Sequence, residues 1–439
     1  MERTPNQAEF FAQSDSLTIQ NAIDAAVASG ERQLTVPRYN LRRNAMQWRI
    51  DRAIRLPSEF TLILDNCYLV QETGCYDHMF TNALADDRDA PAQTGIAILG
   101  RGNVCLDGGR HNRLMEKTSG KFGMPSVWCN TMFYWHNVDG LRVEGIHVEN
   151  QRWWAMTHLY CRNVTLKNID FGAVPHVPNM DGIDLRTGCH NFTIENITGK
   201  TGDDVIAMTA LQGGFEAAHA VPGETPDIHD VSIRNVLGDP FLHFVVRILN
   251  HDGCQIYDID LDGVFDASDF TSKKRPKCTL GIGSNMYTKL RKAALGETRN
   301  IHARHLTSRG EKAIRIDNVC SDSVFEDVKT FGDNLVGMGR LEGPCHFENV
   351  LLKHFFYGRT QQEMFCSTQL SEDSYTGTVF ELPDTTGQIT VDGFCVDKVG
   401  TLASANAPLR IAISEPDTRF CKRTELSGGA SVTVNGEEV

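Results

Sequence analysis

The segment RNVTLKNIDF (Arg162–Phe171) decides the fold class of this chain, because it returns as HNFTIENITG (His190–Gly199). In both copies apolar and polar residues alternate for about six positions, which is the period of a half-buried β-strand. Further copies lie before and after these two, at intervals of roughly 20 to 40 residues, which is the range of stacked structural repeats. They are GLRVEGIHVEN at 140–150, HDVSIRNVLG at 229–238, CQIYDIDLDG at 254–263, RNIHARHLTS at 299–308, SVFEDVKTFG at 323–332 and CHFENVLLKH at 345–354.

An asparagine stands in the middle of several copies, in KNI, ENI, RNV and ENV. Asn tolerates left-handed and turn backbone, so it suits a corner between two strands. The links between copies are too long and varied for hairpin turns, and none of them has the pattern of a long amphipathic helix. We therefore predict an all-β protein, a right-handed parallel β-helix in which each coil contributes two or three strands.

A solenoid needs caps at its ends. The segment SLTIQNAIDAAVASG (Ser16–Gly30) predicts an N-terminal capping helix, with a glycine that ends it and one apolar face. That face consists of Ile19, Ala22, Ile23, Ala26 and Val27. We place the cap at about 15–37, the main coils at about 100–400 and the C-terminal coils or cap at about 387–439. Because no linker is rich in Pro, Gly or Ser, we predict one domain over residues 1–439.

The composition is that of a globular protein, with 41% hydrophobic and 23% charged residues. The net charge of −13 argues against a general binder of nucleic acid or of a membrane surface, since both need a basic face. The basic run TSKKRPK (Thr271–Lys277) is more typical of a solvated loop than of a binding patch. No apolar run is long enough to span a bilayer. We predict neither nucleic acid nor membrane as a partner.

The 13 cysteines show no CxxC spacing and lie mostly in apolar, strand-like segments such as DNCYLV and HLYCRNV. This pattern indicates buried free thiols in a reducing compartment, and not a disulfide frame or a zinc site. The N-terminus lacks a basic start followed by an apolar block, so it shows no secretory signal. We expect a cytoplasmic protein, or a secreted one if the chain is a processed mature form.

Two short motifs, NMDGID and TGDD, bring aspartates into register. Asp203 lies 22 positions after Asp181, close to one coil, and Asp204 is adjacent. Residues one coil apart lie about 4.8 Å from each other along a β-helix. A bend at Gly202 would let both neighbouring aspartates reach the same face, and glycine permits it. We therefore expect the three carboxylates to converge.

Such a cluster holds a proton more tightly than a lone aspartate, because like charges raise the pKa of a neighbour. One member can then be an acid while another remains a base, which is the division that glycoside hydrolysis needs. Two other interpretations of the spacing remain open. The aspartates could bind Ca²⁺, or they could form a ladder that caps strand ends.

These motifs resemble those of glycoside hydrolase family 28, the polygalacturonase-like enzymes with a pectin-lyase-like right-handed β-helix. NMDGID (Asn179–Asp184) is similar to the family's Asn-Thr-Asp-Gly-Ile-Asp, and GDDVIAM (Gly202–Met208) to its Gly-Asp-Asp followed by an apolar strand. Weaker likenesses lie in DSLTIQNAIDAA, in NVCLDGG and in WWAMTHLYCRNVTLKNIDF. The resemblance covers about residues 15–250, and more weakly extends to about 320.

The resemblance implies an inverting hydrolysis without a cofactor or a metal. Asp203 would match the general acid, Asp181 and Asp204 the carboxylates that hold and activate water, and Asn179 the asparagine beside them. Inversion requires room for that water, roughly 6.5–9.5 Å between the acid and base carboxyls.

The next family motif, Gly-His-Gly, has only FLHFVVRIL as its counterpart, with His243 but no flanking glycines. It follows an insertion, Leu211–Asp230, which could wall off one end of a groove and favour exo action. His243 either supports the acid, as the family histidine does, or is a satisfied core residue.

The last family motif, Arg-Ile-Lys, stands here as Arg315, Ile316 and Asp317. The change from Lys to Asp reverses a charge where a uronate carboxylate would bind, so we expect a substrate other than simple galacturonate. Arg247, four residues after His243, is a rival for the sugar-binding arginine, although a surface salt bridge is an equal alternative. Trp154 could stack on a sugar or belong to the core.

Taken together, the sequence predicts a polygalacturonase-like glycoside hydrolase that inverts a glycosidic bond of an oligosaccharide or polysaccharide. An intramolecular glycosyl transferase or a polysaccharide lyase with the same fold is the first alternative. A non-catalytic glycan-binding β-helix is the second. Side-by-side association of β-helices leaves a homodimer or homotrimer open.

Overall fold

The computed structural model describes residues 3–109, 131–151, 153–173, 179–268, 278–284, 287–288, 290–310, 312–330, 334–337, 344–357, 377–396, 399–418 and 421–439. The basic run at 271–277 lies outside these residues. The chain divides into two compact units. The first comprises Met1–Ala207 and Phe215–Pro226, and the second Met208–Gly214 and Asp227–Val439. The single domain expected from the sequence stays a prediction.

The first unit consists almost entirely of short strands joined in parallel. Its strands are β1 (Gln33–Pro37), β2 (Trp48–Ile50), β3 (Ile54–Leu56), β4 (Phe60–Asp65), β5 (Tyr68–Gln71), β6 (Phe80–Asn82), β7 (Gln93–Arg101), β8 (Cys105–Asp107), β9 (Phe133–His136), β10 (Val138–Glu149), β11 (Met156–Leu159), β12 (Arg162–Gly172), β13 (Ile183–Arg186) and β14 (His190–Thr201). The next strand, β15 (Ile206–Ala210), runs from the first unit into the second.

Like positions of successive repeats stack in the first unit. Strand β12 pairs in parallel with β10 and β14, so that Val143, Leu166 and Ile194 lie in one row, each fully buried. A second parallel sheet joins β9, β11 and β13. The alternation read from the sequence thus becomes an apolar row inside each coil, because side chains of a strand alternate between its two faces.

The second unit repeats this arrangement. Its strands are β16 (Ile228–Pro240), β17 (Phe244–Asn250), β18 (Ile256–Asp266), β19 (Cys278–Ile282), β20 (Thr298–Ser308), β21 (Lys312–Ile316), β22 (Val319–Thr330), β23 (Asn334–Gly337), β24 (Cys345–Tyr357), β25 (Thr378–Leu382), β26 (Thr385–Val396), β27 (Val399–Ala405), β28 (Leu409–Thr418), β29 (Cys421–Leu426), β30 (Ser431–Val434) and β31 (Glu437–Glu438). Its inner row begins with Ile233, Leu261 and Ala303 and continues through Ile413 to Val434 on β30. The predicted all-β, right-handed parallel β-helix is confirmed.

Helices are few among the described residues. A 3₁₀ turn (Ala8–Phe10) precedes helix α1 (Asp15–Ala28), and helix α2 (Phe215–Ala218) belongs to the first unit. The Ser14 hydroxyl accepts a hydrogen bond from the Leu17 N–H at 3.3 Å, which caps α1. The face predicted from the sequence is buried, apart from the half-buried Val27. The N-terminal capping helix is therefore confirmed.

The cysteines whose side chains the structure describes are free thiols; Cys105 and Cys395 are half-buried, and Cys67, Cys75, Cys161, Cys189, Cys254, Cys278, Cys320 and Cys345 are buried. This agrees with the free, buried thiols expected from the sequence. Among the described residues, no helix combines the length and the apolar character needed to cross a bilayer. The compartment stays a prediction.

The asparagines in the repeats form corners, as the sequence predicted. Asn168, Asn196, Asn235 and Asn349 all have positive φ, between 52° and 59°. Two of them also stack: the Asn196 side-chain amide donates a hydrogen bond to the Asn168 side-chain oxygen at 2.9 Å. The corners at Asn168 and Asn196 are therefore held both by a left-handed backbone that Asn tolerates and by a hydrogen bond between their amides.

We expect Asn196→Ala to lower the free energy of unfolding by about 1–2 kcal/mol, because Ala in a left-handed conformation is strained. Asn196→Gly is the matched variant, since it loses the same amide but adopts positive φ without strain. Urea unfolding followed by circular dichroism measures both. An equal loss in the two variants would contradict the backbone explanation.

Candidate active site

Three aspartates form a buried cluster in the first unit. One oxygen from each of Asp181, Asp203 and Asp204 lies within 4.8 Å of the other two. Their exposed fractions are only 5%, 7% and 0%. The structure thus brings together the carboxylates that the sequence expected to converge, but in a buried setting. Their catalytic roles stay predictions.

The backbone ties the two aspartate segments to each other. The Gly182 N–H donates to the Asp204 carbonyl at 2.9 Å, and the Gly202 N–H donates to the Met180 carbonyl at 2.9 Å. A Cβ at Gly182 would lie 2.5 Å from the Val205 carbonyl oxygen, so only glycine allows this close approach. The approach of these two segments is what aligns the carboxylates.

Asn179, predicted to lie beside the aspartates, has positive φ at 58° and contacts Asp203 through its backbone. Its N–H donates a hydrogen bond to Asp203 Oδ2 at 3.1 Å. The Thr201 hydroxyl donates to the Asp203 backbone carbonyl at 2.6 Å. The carboxyl of Asp203 is therefore oriented by a neighbour on the NMDGID segment, which is the segment that carries Asp181.

Charge limits the states of this cluster. Three carboxylates this close in a buried site cannot all stay ionised unless a proton or a cation compensates them.

The distances between the carboxylate oxygens bear on how a water could bind. Two oxygens that accept hydrogen bonds of about 2.8 Å from one water lie about 4.6 Å apart at a tetrahedral angle. The clustered oxygens lie within 4.8 Å of one another, close enough for one water to bridge two of them. This bound concerns one oxygen of each carboxylate and not the separation of the carboxyl groups, which is about 6.5–9.5 Å in inverting enzymes, so it does not select inversion.

Trp154 lies beside a cation that sequence reasoning missed. The Arg186 guanidinium carbon is 4.5 Å from the centre of a Trp154 ring, a cation–π contact, and Arg186 also forms an ion pair with Glu216. Arg186 ends β13, five residues after Asp181, and is only 7% exposed. Trp154 itself is half-buried. The available signal was an arginine in the short IDLR strand that follows Asp181.

Part of the predicted insertion, Phe215–Pro226, packs on the first unit. The His136 ring donates from Nε2 to the His219 carbonyl at 2.8 Å, and the Tyr134 and His219 rings meet edge to face. Ala220 and Val221 pack on a cluster of buried side chains, namely Ala85, Tyr134, Leu159 and Tyr160. The insertion thus covers the face of β9, β11 and β13 that points away from the core. The Glu216 carboxylate anchors it to Arg186.

His158 lies in the core between β9 and β13 and is fully buried. Its Nδ1 donates to the Asp184 carbonyl at 3.1 Å, and its ring meets Phe192 edge to face. Burial lowers the pKa of His158 to about 4. The ring is therefore neutral between about pH 4 and 6.5, where a free histidine is charged.

We expect His158 to destabilise the protein as the pH falls from about 6.5 to about 4. In that window the unfolded chain binds a proton at His158 and the folded chain does not, so stability is lost towards acid. The contribution is about 3 kcal/mol for a pKa difference of about 2.5. His158→Asn keeps a donor but cannot titrate. Urea unfolding at pH 7 and pH 4 should show a smaller acid loss in this variant; an identical acid loss would contradict the assignment.

The remaining predicted residues, His243, Arg247 and Arg315, belong to the second unit. Arg247, Gly281 and Arg315 are register partners on β17, β19 and β21. The Phe244 ring packs over Gly281, where a Cβ would lie 2.3 Å from it. The guanidinium carbons of Arg247 and Arg315 lie 5.9 and 5.7 Å from the centre of that ring. The two arginines that the sequence treated as rivals therefore share one surface.

His243 adjoins this surface. Its φ is 69°, and its ring lies nearly parallel to the Phe244 ring, with 6.1 Å between centres. Asp317, which stands where the family has lysine, forms an ion pair with Arg315 and is buried. The reversed charge is thus neutralised locally. A joint action of His243, Arg247 and Arg315 with the aspartates of the first unit stays a prediction.

Comparison with known proteins shows a similarity to one family over part of the chain. A family model described as glycosyl hydrolases family 28 matches residues 93–238, which include Asn179 and all three clustered aspartates. Polygalacturonase QRT2 of Arabidopsis thaliana is 27% identical over 126 residues, which are 29% of this chain and 28% of that protein. The chain thus matches a little over a quarter of that relative's length. The resemblance to family 28, as a divergent relative, is confirmed over this stretch.

Solved structures extend the likeness in fold alone. A hyperthermoactive exopolygalacturonase from Thermotoga maritima matches with a TM-score of 0.51 at 15% identity, covering 100% of this chain and 93% of that one. A tailspike protein of E. coli bacteriophage HK620, solved as a double mutant, matches with a TM-score of 0.63 at 12% identity, covering 99% and 78%. The adhesin PfbA of Streptococcus pneumoniae matches with a TM-score of 0.50 at 12% identity, covering 99% and 93%.

Proposed function

We propose that this chain is a polygalacturonase-like glycoside hydrolase that cleaves a glycosidic bond of an oligosaccharide with inversion. The observation that carries the proposal is the buried cluster of Asp181, Asp203 and Asp204, with oxygens within 4.8 Å of one another. The match of residues 93–238 to family 28 supports it, because that stretch contains the whole cluster.

In this mechanism Asp203 is the general acid. The Asn179 N–H donates a hydrogen bond to Asp203 Oδ2 and so orients this carboxyl group. Asp181 and Asp204 hold the water and take its proton as the oxygen attacks the anomeric carbon. The bond to the leaving oxygen breaks, and that oxygen receives the proton of Asp203. Two ionised carboxylates beside a protonated one are the charge pattern that such chemistry uses.

The position of the insertion supports a short substrate or a chain end. The Phe215–Pro226 segment covers the outer face of β9, β11 and β13, and Glu216 holds it on Arg186. A long polysaccharide lying along these strands would collide with the segment. We therefore propose that the chain acts on an oligosaccharide or at a chain end.

The charge distribution supports a substrate other than simple polygalacturonate. Arg186 and Arg315 are paired with Glu216 and Asp317, respectively. An arginine whose charge is already compensated attracts a uronate carboxylate less strongly than one exposed to it.

A second candidate is a non-catalytic glycan-binding β-helix. The same fold occurs in a protein described as a surface adhesin and in a phage tailspike. The fold by itself does not imply hydrolysis. The buried aspartate cluster favours the enzyme, because an exposed glycan-binding surface has no need to bury three carboxylates together.

The proposal is tested by NMR analysis of the products formed from a panel of plant and microbial oligosaccharides, with and without EDTA. We expect hydrolysis in both conditions, with an initial product anomer opposite to that of the cleaved bond. Unsaturated or cyclic products would replace hydrolysis by a lyase or an intramolecular glycosyl transferase. Binding of a glycan without turnover would support the second candidate.

A further inference from the structure

A mixed cluster of metal-binding side chains lies on two neighbouring strands of the first unit. His147 on β10 is the register partner of Cys105 on β8, and Glu149 is two residues further along the same face of β10. One ligand atom from each of the three lies within 4.8 Å of the others. All three side chains are half-buried, so they are reachable from solvent.

The imidazole of His147 is held in one orientation. Its Nδ1 lies 2.7 Å from Asp170 Oδ2, and Asp170 is its register partner on β12. Because a carboxylate accepts, Nδ1 is the donor and Nε2 presents its lone pair on the other side of the ring. Nε2 lies 3.7 Å from Glu149 Oε2. Two acceptors that face each other at this distance suit a cation between them.

Space is kept open at that nitrogen. Gly172 on β12 is the register partner of Glu149. A Cβ at Gly172 would lie 3.0 Å from His147 Nε2 and 2.9 Å from its Cε1. Any larger residue would therefore crowd the atom that carries the free lone pair. The carboxylate behind the ring and the glycine beside it are independent features that prepare His147 as a ligand.

We propose that Cys105, His147 and Glu149 bind a divalent transition metal of the Zn²⁺ class, with Asp170 orienting the histidine. In tetrahedral sites, Zn²⁺ binds sulfur at about 2.3 Å and nitrogen or oxygen at about 2.0–2.2 Å. Such bond lengths put neighbouring ligand atoms about 3.3–3.6 Å apart, close to the observed 3.7 Å between His147 and Glu149. The thiolate disfavours Mg²⁺ and Ca²⁺, and a water can complete the coordination. The site does not depend on the proposed hydrolase function.

Titration of the full, reduced chain with Co²⁺ tests the proposal, because a thiolate ligand to Co²⁺ gives a charge-transfer band in the near ultraviolet. The two other candidate clusters of the described residues, Asp181 with Asp203 and Asp204, and Glu326 with Asp327 and His354, contain no thiol and cannot give this band. We expect one equivalent of Co²⁺ to produce it, Zn²⁺ to displace it, and millimolar Mg²⁺ or Ca²⁺ to leave it unchanged.

Variants make the test specific. Cys105→Ser should abolish the band, whereas Cys395→Ser, at the other half-buried cysteine, should retain it. Asp170→Asn removes no ligand but should weaken binding about 10–100-fold, the usual effect of losing such a support. Circular dichroism checks that each variant is folded. Absence of the band in the parent chain, its survival in Cys105→Ser, or unchanged affinity in Asp170→Asn would overturn the proposed site.

Discussion

Replacing Asp203 by Asn is expected to lower kcat/KM for the cleaved oligosaccharide by about 10³-fold, the middle of the range for loss of a general acid. Asn cannot protonate the leaving oxygen, yet its side-chain oxygen can still accept the Asn179 N–H that binds Asp203 Oδ2. The variant should therefore fold and bind its substrate. It should lose turnover specifically.

Initial rates by reducing-sugar assay and binding by calorimetry separate these effects. Asp89→Asn is the matched control, because it makes the same change at a carboxylate that is 73% exposed. We expect Asp89→Asn to keep parental rates, and Asp203→Asn to keep the parental Kd within a few fold. If Asp203→Asn retains a tenth or more of the parental kcat/KM, Asp203 is not the acid. If neither the parental protein nor Asp203→Asn cleaves the glycan but both bind it, the protein is a binding module.

Trp135→Ala is expected to cause a large loss of stability, about 3–5 kcal/mol. Trp135 is fully buried on β9 and is among the largest such side chains. Its register partner on β11 is His158, whose own partner on β13 is Leu185. Removing the indole would leave a cavity beneath the strand that follows Asp181. The loss combines the transfer free energy of the ring with the cost of that cavity.

Trp135→Phe is the informative companion to this variant. The indole N–H of Trp135 is buried without a hydrogen-bond partner among the described residues. Phe keeps most of the apolar volume and removes this unsatisfied donor, so it should cost well under half of the Ala effect. Leu290→Ala, at a side chain that is 71% exposed, should change stability by about 0.5 kcal/mol or less.

Urea unfolding followed by far-ultraviolet circular dichroism measures all three variants. This probe is preferable to fluorescence, since the substitutions remove one of five tryptophans. Similar losses for Trp135→Phe and Trp135→Ala would contradict the assignment of the loss to the volume of the buried ring.

Local patterns in the sequence predicted much of this protein. Alternation in the repeats gave the strands, and the mid-repeat asparagines marked the corners, as the positive φ of Asn196 shows. The spacing of Asp181 and Asp203 predicted that their carboxylates would meet. Each of these features depends only on strand period and coil length, which are written into short stretches of chain.

Other features depended on partners that lie far away in the sequence. Glu216, in an insertion, forms an ion pair with Arg186, and Asp317 forms one with Arg315. The sequence motifs therefore could not show which arginine charges are already compensated. The Cys105 and His147 cluster was missed for the same reason. The cysteine spacing argued against a zinc site, whereas the pairing of β8 with β10 makes these two residues direct neighbours.

The sequence by itself determined the coil, its corners and the convergence of the aspartates, because strand alternation and repeat length set the register of successive coils. Only the tertiary structure decided that the aspartates are buried, that an insertion covers the strands beside them, and which charges are paired. The burial of the aspartates and the pairing of the charged side chains depend on which distant segments pack together. The free energy of the whole fold, and not a local pattern, determines that packing.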